Sequence, residues 1–153
     1  MISLHSGTFL GIGIVDLMIP SERVAHVQLG NNLEHALLVL TKSGYTAIPV
    51  LDPQYKLHGL ISTPIIMESI LGLERIEFEK LEKKRVEEVM NKKVPRVKTN
   101  DSMMICLELL VNHPFLCVET PDGFFAGILP RSTVLNHLNQ HIKKLNKNNN
   151  HES

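Results

Sequence analysis

His137 and His141 stand four residues apart in a stretch of helical periodicity. That spacing brings two imidazoles onto one helix face, where they can hold a metal ion, but the zinc-protease form of the pattern needs a glutamate beside the first histidine. Leu138 occupies that position, so no metal is expected. Cys106 and Cys117 sit in apolar runs, Ile105-Cys106-Leu107 and Leu116-Cys117-Val118. Thiols in such surroundings pack as small hydrophobes, which argues against a disulfide framework and fits a reducing compartment. No His-Asp pair is placed beside them, so the nucleophile, base and orienting group of a Cys- or His-dependent hydrolase are not assembled. Gly11-Ile12-Gly13 continues into Ile14-Val15-Asp16 without the third glycine or the preceding strand of a dinucleotide fingerprint. Asn100-Asp101-Ser102 has the form of a glycosylation sequon but stands where a helix cap is expected. The chain is therefore expected not to be an enzyme.

Its 153 residues suit one compact domain or two fused half-domains. Hydrophobic residues make up 43%, enough for an ordinary core. Lys+Arg and Asp+Glu are both 16, so no net charge draws the chain to a nucleic-acid backbone. Met1-Ile2-Ser3-Leu4-His5-Ser6-Gly7 carries none of the positive charge that opens a signal peptide. No uninterrupted apolar stretch reaches the roughly 20 residues a membrane span needs. A cytoplasmic protein is expected.

The elements that would position any functional residue come from an internal repeat. Val86-Glu87-Glu88-Val89-Met90 matches Ile14-Val15-Asp16-Leu17-Met18 at an offset of 72. At an offset of 70, Val94-Pro95-Arg96-Val97 matches Val24-Ala25-His26-Val27, Leu107 matches Leu37, Leu110 matches Leu40, Phe115 matches Tyr45 and Val118 matches Ile48. Gly127-Ile128-Leu129 matches Gly59-Leu60-Ile61 at 68. The offset changes only at turn-like Ile19-Pro20-Ser21-Glu22 and Leu51-Asp52-Pro53-Gln54, where loops absorb deletions.

Each copy predicts the same elements. A short strand (25–27; 95–97) leads to a helix N-cap at Asn31 or Asn32, and at Asn100 or Asp101. Helices follow with apolar stripes Leu33, Ala36, Leu37, Leu40 and Met103, Cys106, Leu107, Leu110. Gly44 supplies a C-cap to the first, and His113-Pro114 stops the second. Two strands joined by a turn (47–51 and 57–62; 115–118 and 124–129) and a closing helix (65–71; 133 to about 145) complete each copy. The division predicted is a first motif at 12–72, a charged helical connector at 73–85, a second motif at 86–145 and a disordered tail at 146–153. The connector is either a solvated face or a partner-docking surface.

A β-α-β-β-α half-unit, repeated once with a Val-x-x-Val-Met-like opening and a glycine-led exit strand, resembles the CBS module. The pieces that carry the resemblance are Val15-Asp16-Leu17-Met18-Ile19-Pro20, Gly44-Tyr45-Thr46-Ala47-Ile48-Pro49-Val50-Leu51-Asp52 and Gly59-Leu60-Ile61-Ser62-Thr63. The second copy shows Val86 to Met90 and Gly127-Ile128-Leu129-Pro130-Arg131. Three segments, 24–28, 33–40 and 72–81, look closer to one subgroup, the stand-alone CBS-pair proteins of bacteria that bind cyclic di-AMP. The resemblance implies an α/β fold of two pseudo-twofold-related CBS motifs packed as one Bateman module, with two clefts.

The first cleft would combine Arg23, Val24, Ala25 and His26 with Tyr45, Thr46, Ala47, Arg131 and Ser132. The second would combine Val94, Pro95, Arg96, Phe115 and Leu116 with Thr63 and Pro64. The resemblance implies no cofactor and cyclic di-AMP as ligand, with Arg23 and Arg131 on its phosphates and main-chain groups at Ala25 and Thr46 on a base edge. The second cleft has Thr63-Pro64 in place of Arg131, so the first is favoured. Outside the resemblance, Arg23 reads as a surface residue, Arg131 as a strand-end cap or an ion-pair partner, and Tyr45 and Phe115 as packing. His26 reads as a base-stacking or a partly exposed strand histidine. CBS sites for AMP or ATP commonly carry an aspartate that holds the ribose at the positions of Ile65 and Thr133; both copies lack it. That leaves an AMP/ATP-sensing regulatory subunit of a larger enzyme as the alternative. The resemblance further implies a homodimer, through apolar residues of 65–71 and the last helix, and a partner such as a guanosine tetraphosphate synthetase. The charge balance and the short apolar stretches leave no nucleic acid or membrane partner expected.

Overall fold

A computed structural model describes residues 11–152, with side chains through Asn149. The N-terminal residues read above against a signal peptide lie outside the described residues, as does Ser153. The chain divides into two compact units. One consists of Arg23–Val94 and Gly123–Phe125; the other of the residues through Glu22, Pro95–Asp122 and Ala126 onward.

The first unit holds a three-stranded sheet in the order β2-β3-β4, formed by β2 (Val27–Gln28), β3 (Ala47–Leu51) and β4 (Leu57–Ser62). β2 runs parallel to β3, pairing Val27 with Val50, and β4 returns antiparallel, pairing Ser62 with Ala47. The crossover between β2 and β3 is α2 (Leu33–Ser43). Asn32 starts it by accepting from the His35 N–H at 2.9 Å. Gly44 ends it at φ 77°, a left-handed conformation that costs glycine little, with its N–H on the Leu40 carbonyl. Leu33, Ala36 and Leu40 are buried against Ile48, Val50 and Ile61 of the sheet, and Leu37 packs at the margin. The closing helix α3 (Thr63–Ile70) is capped by the Ser62 hydroxyl.

The second unit repeats the plan with β5 (Arg96–Lys98), α6 (Met103–Leu110), β6 (Phe115–Glu119) and β7 (Phe125–Pro130). β5 runs parallel to β6, with Arg96 opposite Cys117. Its core has the first unit's pattern at the offset of the repeat: Val97 for Val27, Met103 for Leu33, Cys106 for Ala36, Leu110 for Leu40 and Val118 for Ile48. The N-cap is Ser102, whose hydroxyl accepts from the Ile105 N–H at 3.3 Å. Asp101 instead accepts from Lys98 N–H at 2.7 Å and ties the preceding turn. The expected caps, Asn100 or Asp101, thus stand two residues and one residue early, and the turn consumes the Asp101 carboxylate.

The lead-in segments are built into opposite sheets. α1 (Ile14–Leu17) and β1 (Ile19–Pro20), from the start of the chain, complete the second unit's sheet in the order β1-β7-β6-β5. Ile19 pairs with Ile128 and Pro20 with Gly127, and Ile14 is buried in that unit's core. The matching segment before the second copy, α5 (Val86–Val89) and Asn91, belongs to the first unit. Val86 is buried in that core, and Asn91 exchanges backbone hydrogen bonds with Leu60 at 2.8 and 2.9 Å.

This exchange explains the glycine of each exit strand. A Cβ on Gly127 would stand 2.1 Å from the Ile19 carbonyl oxygen, and one on Gly59 would stand 2.8 Å from the Asn91 carbonyl oxygen. Glycine here permits backbone to approach backbone.

Two predicted segments differ. Only α4 (Lys80–Lys83) of the connector is helical. The residues before it turn back on themselves, with Gly72 N–H on the Arg75 carbonyl at 2.8 Å and Glu77 N–H on Ile70 at 2.7 Å, so their backbone groups are taken by a tight loop. The last helix, α7 (Arg131–Glu152), continues past Leu145 into the stretch read as a disordered tail. No proline or glycine follows Arg131 to stop it, and its polar later turns are solvated while Val134 and Leu138 pack below.

Asp52 organises the β3–β4 turn. Its carboxylate accepts from the Gln54 N–H at 2.8 Å, the Lys56 N–H at 3.0 Å and His58 Nε2–H at 2.8 Å. The His58 bond, with the backbone donors, holds its carboxyl below the usual carboxylate range. A depressed acid contributes stability that is full above its unfolded pKa and is lost as pH falls through the folded value. The urea midpoints of the native protein and Asp52→Asn should therefore differ at pH 7 and converge as pH drops below about 4, the unfolded aspartate value. A gap that stays constant to pH 3 would show that the carboxylate charge contributes nothing.

Candidate functional site

Seven of the nine predicted site residues belong to the first unit and two to the second. Within the first unit, the parallel register of β2 and β3 places the approach to β2 beside the start of β3. Arg23 closes a short 3-10 turn (Ser21–Arg23) and is exposed. Val24 is buried, which anchors the segment, and Ala25 packs at the core margin. His26 is partly buried, with Nδ1 3.1 Å from the Val24 carbonyl oxygen. Just before the neighbouring strand β3, Tyr45 packs against the same core while Thr46 beside it is exposed. Ala47 opposite Ser62 brings the start of α3 to this end of the sheet.

In the second unit, Arg131 opens α7. Its backbone N–H donates to Pro114 at 2.9 Å and its Nε–H to the Leu110 carbonyl at 2.7 Å. Leu110 ends α6, so the guanidinium caps a helix C-terminus, where a cation is favoured by the helix dipole. That bond uses one of five guanidinium N–H groups. Ser132 is exposed in the first turn of α7. Among the described residues, neither Arg23 nor Arg131 has a carboxylate within ion-pair distance. Arg96, the cation of the alternative residue set, lies 3.4 Å from Glu119, a carboxylate only 7% exposed.

Sequence reasoning missed Tyr55. Its ring meets His26 edge-on, with centroids 5.5 Å apart at 73°, and leans on Phe125 at 6.2 Å. It adopts φ 66°, a conformation side chains disfavour. The repeat gives no signal for it, because it lies in a turn where the two copies differ in length.

The groups considered for other chemistry are placed elsewhere. Burial, reinforced by the Asp101 charge, pushes the Cys106 thiol up to about 11. Burial pushes Cys117 up to about 12, against the Arg96 charge. Both thiols are buried and unbridged, and thiols in that state are poor nucleophiles. His137 and His141 lie on α7, and no group of three metal-ligating side chains forms among the described residues. Gly13 caps α1 with an extended backbone. No helix of the described residues is long and apolar enough to cross a membrane.

Two α/β units of one design, each with its glycine-led exit strand, define a tandem CBS-domain protein. The chain belongs to that family, whose CBS domain model matches residues 14–72 and 86–140. It is 58% identical over 147 residues to cyclic di-AMP receptor B of Bacillus subtilis (strain 168), covering 96% of this chain and 100% of that one. It is similar to a CBS domain-containing protein of Bacillus anthracis str. Ames Ancestor, at 59% identity and TM-score 0.83, over 88% of this chain and 98% of that one. It is also similar to the CbpB protein of Listeria monocytogenes in complex with c-di-AMP, at 55% identity and TM-score 0.79, over 85% and 97%. These similarities bear out the family resemblance read from the repeat.

Proposed function

We propose that this protein is a non-catalytic receptor that binds cyclic di-AMP and passes its ligand state to a partner protein. The carrying observation is the 58% identity to a cyclic di-AMP receptor across the full length of that relative, joined by the 55% identity to a protein solved with c-di-AMP bound. The ligand contacts we assign are Arg23, Val24, Ala25, His26, Tyr45, Thr46, Ala47, Arg131 and Ser132. Their chemistry suits the ligand: two guanidinium groups that have no carboxylate partner among the described residues for two phosphates, and exposed polar groups at Thr46 and Ser132 for base and sugar edges.

A receptor signals only if its ligand discriminates between states that a partner reads. We place the protein in the cytoplasm as a homodimer. Leu71, Leu135 and Ile142, exposed at 57%, 52% and 46%, are apolar side chains of the segments expected to form the dimer. A guanosine tetraphosphate synthetase is the partner class we propose. Calorimetric titration with cyclic di-AMP, cyclic di-GMP, AMP and ATP tests the ligand. Binding of cyclic di-AMP at least tenfold tighter than the other three is expected. Preference for AMP or ATP would replace this reading with that of an energy-sensing regulatory subunit.

A further inference from the structure

We infer that Tyr55 is a positioning residue that fixes the His26 ring so that Nε2 serves as a hydrogen-bond acceptor for the exocyclic amine of the bound base. This rests on the proposal that cyclic di-AMP is the ligand. The Val24 carbonyl can only accept, so the 3.1 Å contact requires the proton on Nδ1 of His26. A neutral imidazole with Nδ1–H carries its lone pair on Nε2, and that atom has no hydrogen-bond partner among the described residues.

The ring's orientation is fixed as well as its tautomer. Tyr55 meets it edge-on, and Phe125 supports Tyr55 from behind while its N–H donates to the Tyr55 carbonyl at 2.9 Å. Tyr55 holds its disfavoured φ because Asp52 binds the turn on both sides of it, at Gln54 and Lys56, and the Tyr55 N–H donates to the Asp52 carbonyl at 2.9 Å. Backbone strain maintained by surrounding bonds is common where a side chain must be aimed. An acceptor pairs with the 6-amino group of adenine. It opposes the 6-oxo group of hypoxanthine, lone pair against lone pair, so the arrangement selects adenine over a 6-oxopurine.

The test is titration with cyclic di-AMP and cyclic di-IMP of the native protein, His26→Phe, Tyr55→Phe and Tyr55→Ala. His26→Phe keeps the ring and removes both nitrogens. It should weaken cyclic di-AMP roughly tenfold, as loss of one neutral hydrogen bond does, leave cyclic di-IMP no weaker, since the opposing lone pair is gone, and so erase most of the preference. Tyr55→Phe should keep the preference and Tyr55→Ala should reduce it, with melting curves confirming that each variant folds. Equal losses for both ligands in His26→Phe, or an unaltered preference in Tyr55→Ala, would overturn the inference. Should the native protein bind neither dinucleotide, the ligand proposal itself fails. The nitrogen chemical shifts of His26 in the free protein then still judge the geometry, since a proton on Nε2 rather than Nδ1 overturns it without any ligand.

Discussion

Gly127→Ala should lower the melting temperature by roughly 10 °C, corresponding to about 3 kcal/mol, the upper range for overpacking in a chain of this size. The added methyl would lie 2.1 Å from the Ile19 carbonyl oxygen and 3.2 Å from the Pro20 Cα. Both obstacles are backbone, so no rotamer change relieves them, and the strand that must yield is the one completing the second unit's sheet. Gly59→Ala should cost less. Its Cβ would meet the Asn91 carbonyl oxygen at 2.8 Å and the Met90 Sδ at the same distance, and the methionine side chain can move. Gly123→Ala serves as the control. That residue has φ 96° with nothing within 4 Å of the added atom, so it reports only the backbone cost of a left-handed side chain, about 1 kcal/mol. The expected order is Gly127, then Gly59, then Gly123. If the first two were no worse than the third, the close approach of the lead-in segments would not be a stability determinant.

That the two exit-strand glycines align was visible in the sequence; why they are glycines was not. Pattern matching assigns a segment to an element but does not say which sheet the element joins. Ile14 and Val86 read equally well as the first residues of their own copies, yet each is buried in the unit formed mainly by the other copy. The helices and long strands were legible because burial repeats with their periods, and Val27, Ala36, Leu40 and Ile48 have counterparts at one constant spacing. Elements defined by polar bonding were less legible. Asp101 and Ser102 are both competent caps, and only the competing demand of the Lys98 N–H decides between them. The connector's charges suggested a helix, whereas its loop is fixed by main-chain bonds around Gly72 that leave no trace in hydropathy. The proposed ligand residues came through the family resemblance. Tyr55 did not, since what marks it is a backbone angle and a ring contact.

Arg131→Ala should weaken cyclic di-AMP binding about a hundredfold, the equivalent of one bidentate charge-assisted contact to phosphate at about 3 kcal/mol. The side chain also bonds the Leu110 carbonyl at the end of α6, so the variant loses a helix cap of about 0.5–1 kcal/mol along with any phosphate contact. Arg131→Lys separates the two roles. An ammonium retains the charge that both the helix terminus and the phosphate favour, but it cannot present two parallel N–H groups. It should therefore melt close to the native protein and bind roughly tenfold more weakly, a loss that grows with ionic strength as screening reduces the remaining point-charge attraction. Arg131→Ala with unchanged affinity and a native melting curve would remove Arg131 from the ligand contacts. The phosphate would then have to be held by other groups, with Arg23, the other site cation without a carboxylate partner among the described residues, as the remaining one in the set. Equal weakening by Ala and Lys with normal melting would instead show that the planar fork, rather than the charge, is what the phosphate recognises.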